Sequence, residues 1–379
     1  MEVANTELEA KIERLVKMMN AEGLNGVLIN SQHNFSWLTC GGANGIDLSR
    51  ENGAGFLFIT RDGRRFLIAN NIEMPRLLTE ELPEFAEIEP IEITWQDEKD
   101  PQTVLNAARS VAGGSEFGCD IGFPETRWIE PSIAACRAEL TADEIERYRS
   151  LGRDAGGSLE NLVPKLAPGQ TENEIARLVR DELSVHGIFP VVTLVGADDR
   201  IARYRHPVAT ENVWRNTVLV VVCARRHGLI ASLSRVICAG DIPSDLQHRT
   251  EAAAYVNAAL YSATTAGAAG SELYSVAAKA YAEKGFADEI DRHHQGGACG
   301  YRTRDWVAHP DGKDIVRLNQ AFAWNPSVTG TKTEETGILT DEGFEVITAT
   351  DGFPKISTII GGREYLSPGI LSLSKGVSA

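Results

Sequence analysis

Two capping boxes, Thr141-Ala-Asp-Glu144 and Thr171-Glu-Asn-Glu174, fix the starts of two successive helices. In each, the Thr hydroxyl and the Glu carboxylate satisfy backbone amides that the first turn leaves unpaired. Apolar residues at helical spacing follow both: Ile145, Tyr148, Leu151, Leu159 and Leu162 after the first, then Ile175, Leu178, Val179 and Leu183 after the second. Pro164, Pro168 and Gly169 end the first helix. Helical spacing returns over 244–265 and 271–284, while strand-like runs cover 191–195, 217–223, 229–237, 321–324, 336–339 and 344–348. Consecutive runs of this kind predict antiparallel ribbons packed with four helices.

Residues 1–138 read as a smaller α/β unit. Leu8, Ile12, Leu15 and Met18 give a helix over 7–19, and 26–29 is a short apolar strand. The runs 55–59 and 66–68 flank an Asp62-Gly63 turn and predict a hairpin. A helix around 73–81, a strand near 117–121 and a helix after Pro131 complete the unit. The boundary falls near 138–140, giving one domain over 1–138 and a second over 139–379. A chain of 379 residues, 43% of them hydrophobic, supports two cores. The expected class is α+β.

The net charge of −16 argues against nucleic acid or an anionic membrane as partner, since both require a basic footprint. No basic start precedes a long apolar run, and no run reaches the roughly 20 residues of a membrane span. The expectation is a soluble, cytoplasmic protein. Cys40, Cys119, Cys136, Cys223, Cys238 and Cys299 form no C-x-x-C pair and are expected to be reduced thiols.

Four segments of the second half concentrate chemistry: Tyr204-Arg-His-Pro207, the stretch from Val222 to Arg235, the stretch from His293 to Arg304, and Trp324-Asn-Pro326 followed by Thr333-Glu-Glu-Thr336. His206 suits a general base, because imidazole titrates near neutrality. His293 and His294 are adjacent, and neighbours on a strand face opposite sides, so one of them faces a site. Glu334 and Glu335 alternate in the same way, with Glu334 taken as the inward one. Arg302 and Arg304 share a face if the segment is extended, and suit a bidentate clamp on a carboxylate. The glycines of 40–45 lack a phosphate-loop pattern, and no serine sits in a nucleophile elbow.

In order and spacing these segments resemble the creatinase and aminopeptidase P family, over nearly the whole chain. The resemblance implies a pita-bread C-terminal domain behind an N-terminal creatinase-type α/β domain. Metallopeptidases of that family hold two ions with two Asp, one His and two Glu. By the same resemblance those places fall near Val221–Cys223, on Ser232, His294 and Asn325, and on Glu334. His294 takes its place from the spacing to Gly297. Two of the five ligand types remain, so the expectation is no metal and no cofactor.

Creatinase is the metal-free branch, and the resemblance to it makes His206 the proton shuttle, with His294 and Glu334 as further catalytic residues. It also makes Arg304 or Arg302 a carboxylate holder, and Arg50 a contribution from the second subunit of a homodimer whose site lies near the interface. Ser234 stands where creatinase carries a carboxylate, and Tyr301 where peptidases carry a His; with Asn325 these complete the expected substrate-binding set. The main expectation is thus a metal-independent hydrolase cleaving a C–N bond of a small, carboxylate-bearing, amino-acid-like substrate. The alternatives are a metal-dependent Xaa-Pro dipeptidase or aminopeptidase, a catalytically inactive binding or regulatory protein, and a lyase using the same groups.

Overall fold

The computed structural model describes residues 2–373. It divides into two compact units, Met1–Glu144 and Ile145–Ala379. The division falls beyond 138 because the start of the capped helix belongs to the first unit. Thr141 and Glu144 form the capping box there, with Thr141 N donating to Glu144 Oε2 at 2.8 Å. The buried Glu144 carboxylate also pairs with Lys11 Nζ at 2.9 Å.

The first unit is a six-stranded mixed sheet. Its strands are β1 (Gly26–Ser31), β2 (Asn52–Thr60), β3 (Arg65–Asn70), β4 (Glu89–Ile93), β5 (Phe117–Cys119) and β6 (Arg127–Trp128), in the order β4-β3-β2-β1-β5-β6. β2 and β3 pair antiparallel in the hairpin the sequence predicts. Leu28, Phe58, Phe66 and Phe117 form one face of the core with Val104 and Leu105 of the helix Pro101–Val111. Asp100 caps that helix by accepting from Gln102 N, and Pro101 occupies its first turn.

The second unit carries the helices Ala142–Leu162 (from its second turn onward), Glu172–Ser184, Ser244–Ala263 and Gly270–Glu283. Its strands are β7 (Phe189–Ala197), β8 (Thr217–Arg226), β9 (Leu229–Cys238), β10 (Gly296–Cys299), β11 (Ala321–Trp324), β12 (Ser327–Val328), β13 (Thr331–Lys332), β14 (Glu335–Thr340), β15 (Gly343–Val346), β16 (Lys355–Ile360), β17 (Arg363–Pro368) and β18 (Ile370–Ser372). They form two four-stranded sheets, β18-β9-β8-β7 and β10-β11-β14-β15, and two hairpins, β12-β13 and β16-β17. Phe322, Trp324 and Phe344 of the second sheet pack on Val256, Leu260 and Tyr261 of the helix Ser244–Ala263.

The two sheets meet where the chemistry-bearing segments lie. Ser234 N donates to Glu334 O at 3.1 Å, and Ser232 N donates to Thr336 Oγ1 at 2.8 Å. Every residue of β9 is buried, so alternate side chains of this strand face two different interiors. Ser234 and Glu334 share one of these; Arg235 and Glu335 pair in the other at 2.9 Å. Among the described residues, no helix is long and apolar enough to cross a membrane.

Candidate active site

The site is a cavity of about 290 Å³ in the second unit. Val192 and Leu194 of β7 and Val221 of β8 give it an apolar wall, while His206, His294, Arg304, Asn325, Lys332 and Glu334 give it a polar one. His206 is held by its neighbours. Arg205 pairs with Glu289 and donates to Thr329 Oγ1 at 3.0 Å. Pro207 is buried against Gly196, where an added Cβ would come within 2.6 Å of Pro207 Cγ.

Glu334 is the electrostatic centre. It is 2% exposed, and its carboxylate meets Lys332 Nζ at 2.9 Å, Arg304 Nη2 at 3.1 Å and the Ser234 hydroxyl at 2.6 Å. Burial alone would push its pKa up; the two cations and the Ser234 bond overcome that and hold it down at about 2. Lys332 is itself only 5% exposed. Two fixed cations therefore face one carboxylate, leaving one positive charge in excess. Among the described residues, Asn325 Oδ1 and Arg304 Nε are buried there with no hydrogen-bond partner. In a desolvated site both the charge and the open valences favour an anionic, hydrogen-bonding ligand.

The histidines differ from the strand-parity expectation. Residues 293–295 form a bend, not a strand, and β10 begins only at Gly296. Gly296 sits at φ +98°, where an added Cβ would come 2.1 Å from Ala323 O, so glycine is required to start the strand. The bend lets both His293 and His294 turn the same way. Their rings stack at 4.4 Å, and His293 Nε2 lies 3.2 Å from His206 Nε2. Burial lowers the pKa of all three rings, helped by Lys332: His293 to about 2, and His294, with Arg304 the larger charge effect, to about 4. All three shifts favour the neutral imidazole.

The pocket gathers His206, His294, Glu334, Arg304 and Asn325. The expected choice between Arg304 and Arg302 resolves by backbone shape: residues 301–305 are not extended, the Arg302 carbonyl accepts from Gly300 N at 3.1 Å, and Arg304 alone of the pair lines the cavity. Ser234 does not line the cavity; its hydroxyl donates to Glu334 and positions that carboxylate. Tyr301 is 2% exposed and also stands outside the lining. Arg50 belongs to the first unit, where it is exposed and pairs with Asp47 at 3.2 Å.

Sequence reasoning missed Lys332 and set aside His293. The signal for Lys332 was present, since a residue two before Glu334 on an extended segment shares its face.

A carboxylate-bridged pair of metal ions does not fit these residues. The strand Val221–Cys223 bears no carboxylate, Ser232 Oγ donates to Cys223 Sγ at 3.3 Å, and Asn325 is neutral. The one remaining carboxylate, Glu334, is already neutralised by two cations. Paired divalent ions need anionic bridging oxygens that this pocket lacks.

Residues 146–348, more than half of the chain, match the metallopeptidase family M24, and residues 11–135 match the creatinase/prolidase N-terminal domain. The chain belongs to metallopeptidase family M24 and has its pita-bread fold. It is similar to the Xaa-Pro dipeptidase of Lactobacillus delbrueckii subsp. lactis, at 23% identity over 269 residues covering 68% of this chain and 70% of that one. It is likewise similar to the Xaa-Pro dipeptidase of Lactobacillus helveticus, at 25% identity over 283 residues covering 70% of this chain and 73% of that one. Among solved structures, the prolidase of Pyrococcus horikoshii OT3 superposes with a TM-score of 0.76 at 18% identity, covering 90% of this chain and 98% of that one.

These relatives correct the expectation of a metal-independent, creatinase-like hydrolase. The matching family is one of metallopeptidases, and the similar proteins are Xaa-Pro dipeptidases. Loss of the bridging carboxylates removes one kind of metal centre. It does not by itself exclude a metal centre of another kind.

Proposed function

We propose that the chain is a hydrolase of small dipeptide-like substrates with a free carboxylate, in the manner of an Xaa-Pro dipeptidase. The excess positive charge at Arg304 and Lys332, enclosed beside an apolar wall, carries this reading. A cavity of about 290 Å³ limits the ligand to a small molecule. Arg304 and Lys332 take the terminal carboxylate, which shares them with Glu334. Val192, Leu194 and Val221 cover an apolar side chain or ring. Asn325 accepts a hydrogen bond from an N–H of the substrate, and the scissile amide meets the histidines. By resemblance to the family the assembly is a homodimer, with Arg50 offered to the neighbouring copy.

The test is a panel of Xaa-Pro and non-prolyl dipeptides incubated with the purified full chain, with Zn²⁺, Mn²⁺ or Co²⁺ added or with chelator. Release of the C-terminal amino acid with added ion is expected, and loss of at least tenfold in rate with chelator. Binding of dipeptides without cleavage under every condition would overturn the hydrolase and leave a binding protein.

A further inference from the structure

We infer that His206, His293 and His294 form a binding site for a single divalent cation of the zinc type, distinct in ligands from a carboxylate-bridged pair. Each residue offers one ring nitrogen, and these nitrogens lie within 4.8 Å of one another. The closest two, His206 Nε2 and His293 Nε2, are 3.2 Å apart. Two ligands bound at about 2.0–2.1 Å in a tetrahedron stand about 3.3 Å apart, so this pair is spaced as zinc ligands are. His206 and His294 are exposed enough for their rings to turn and close the remaining distance.

The chemistry of the donors agrees. Three neutral imidazoles suit zinc, cobalt and nickel, and leave a fourth position open. They carry no charge, so they bind one ion and cannot bridge two. Gly296 N donates to His294 Nδ1 at 3.3 Å, which puts the proton of the neutral ring on Nε2, so His294 gives up that bond when it takes the ion. The Arg205–Glu289 pair anchors the segment bearing His206. His293 is the distinguishing member, because no ligand of the two-ion pattern falls on it.

This site deepens the hydrolase reading by giving its histidines a role, and rests on that reading only for the use made of the ion. Uptake itself is measured without substrate. The full chain is dialysed against micromolar Zn²⁺ and its metal content determined, and Co²⁺ is titrated while visible absorption is followed. One ion per chain is expected, with Co²⁺ bands of the intensity that four-coordinate sites give. His293→Ala and His206→Ala should each weaken uptake by more than the roughly 10–100-fold that loss of a supporting group costs. Glu334→Gln, which leaves Arg304 and Lys332 without their counter-charge, should weaken uptake yet leave the stoichiometry at one. No stoichiometric uptake, two ions per chain, or uptake indifferent to both histidine variants while abolished by Glu334→Gln would each overturn the inference. Uptake of one ion without dipeptide cleavage would keep the site and sink the hydrolase.

Discussion

Replacement of Lys332 by Met is expected to destabilise the protein by about 3 kcal/mol and to abolish dipeptide binding at accessible concentrations. Breaking a buried pair by removing one partner costs about 3–5 kcal/mol, because the other charge is left in a medium that cannot solvate it. Here the abandoned group is Glu334, 2% exposed and 2.9 Å from the ammonium. Arg304 at 3.1 Å and Ser234 at 2.6 Å remain to it, which places the cost at the lower end. Adding Glu334→Gln should recover part of the loss, since it removes the stranded carboxylate; the recovery is incomplete because Arg304 then loses its carboxylate too. Urea unfolding of the two single variants and the double variant measures this coupling. Strict additivity, or a Lys332→Met loss under about 0.5 kcal/mol, would show that the pair is solvated and the pocket's charge balance misjudged.

Arg235→Ala is expected to cost more, about 5 kcal/mol, at the upper end for a broken buried pair. Arg235 is 1% exposed. Its guanidinium meets Glu335 Oε1 at 2.9 Å and donates to the carbonyls of Ser234 and Thr348, each at 2.9 Å. It also lies over the Phe353 ring at 5.2 Å. Truncation leaves a buried carboxylate, two buried carbonyls and a cavity at once. For a unit of this size a loss of that order lowers the melting temperature by about 10 °C or more. A fall of only a degree or two by calorimetry would contradict the role given to Arg235. Because Arg235 follows Ser234, whose hydroxyl positions Glu334, a surviving variant should also bind dipeptide less well.

Much of the framework was legible because local signals agreed with tertiary packing. The box at Thr171 is present as drawn from sequence, with Glu174 N donating to Thr171 Oγ1 at 3.2 Å. The apolar runs around 217–223 and 229–237 became β8 and β9, paired antiparallel over their length. The helix Pro101–Val111 escaped notice although Asp100-Pro101 is a recognisable start, because its apolar face is narrow. In the hairpin β16-β17, β16 alternates exposed and half-buried residues, and its Ile359 is 72% exposed. Its Gly361-Gly362 turn, with φ of +60° and +82°, was the available clue.

The pocket was legible where it depends on residue type, and illegible where it depends on backbone path. His206, His294, Arg304 and Glu334, singled out by chemistry and order, all line the same cavity. His293 was set aside by a strand rule applied to a bend. Ser234 was given to the substrate, but β9 and β14 approach so closely that its hydroxyl serves Glu334. That approach joins residues 100 positions apart, and no local pattern encodes it.

The central claim is that the excess charge at Arg304 and Lys332 selects a free carboxylate. Calorimetric titration of the full chain with a Xaa-Pro dipeptide and with its C-terminal amide tests this most directly. The dipeptide should bind at least tenfold more tightly than the amide, and Arg304→Ala should remove the difference. Equal affinity for acid and amide, or a preference that survives Arg304→Ala, would contradict it.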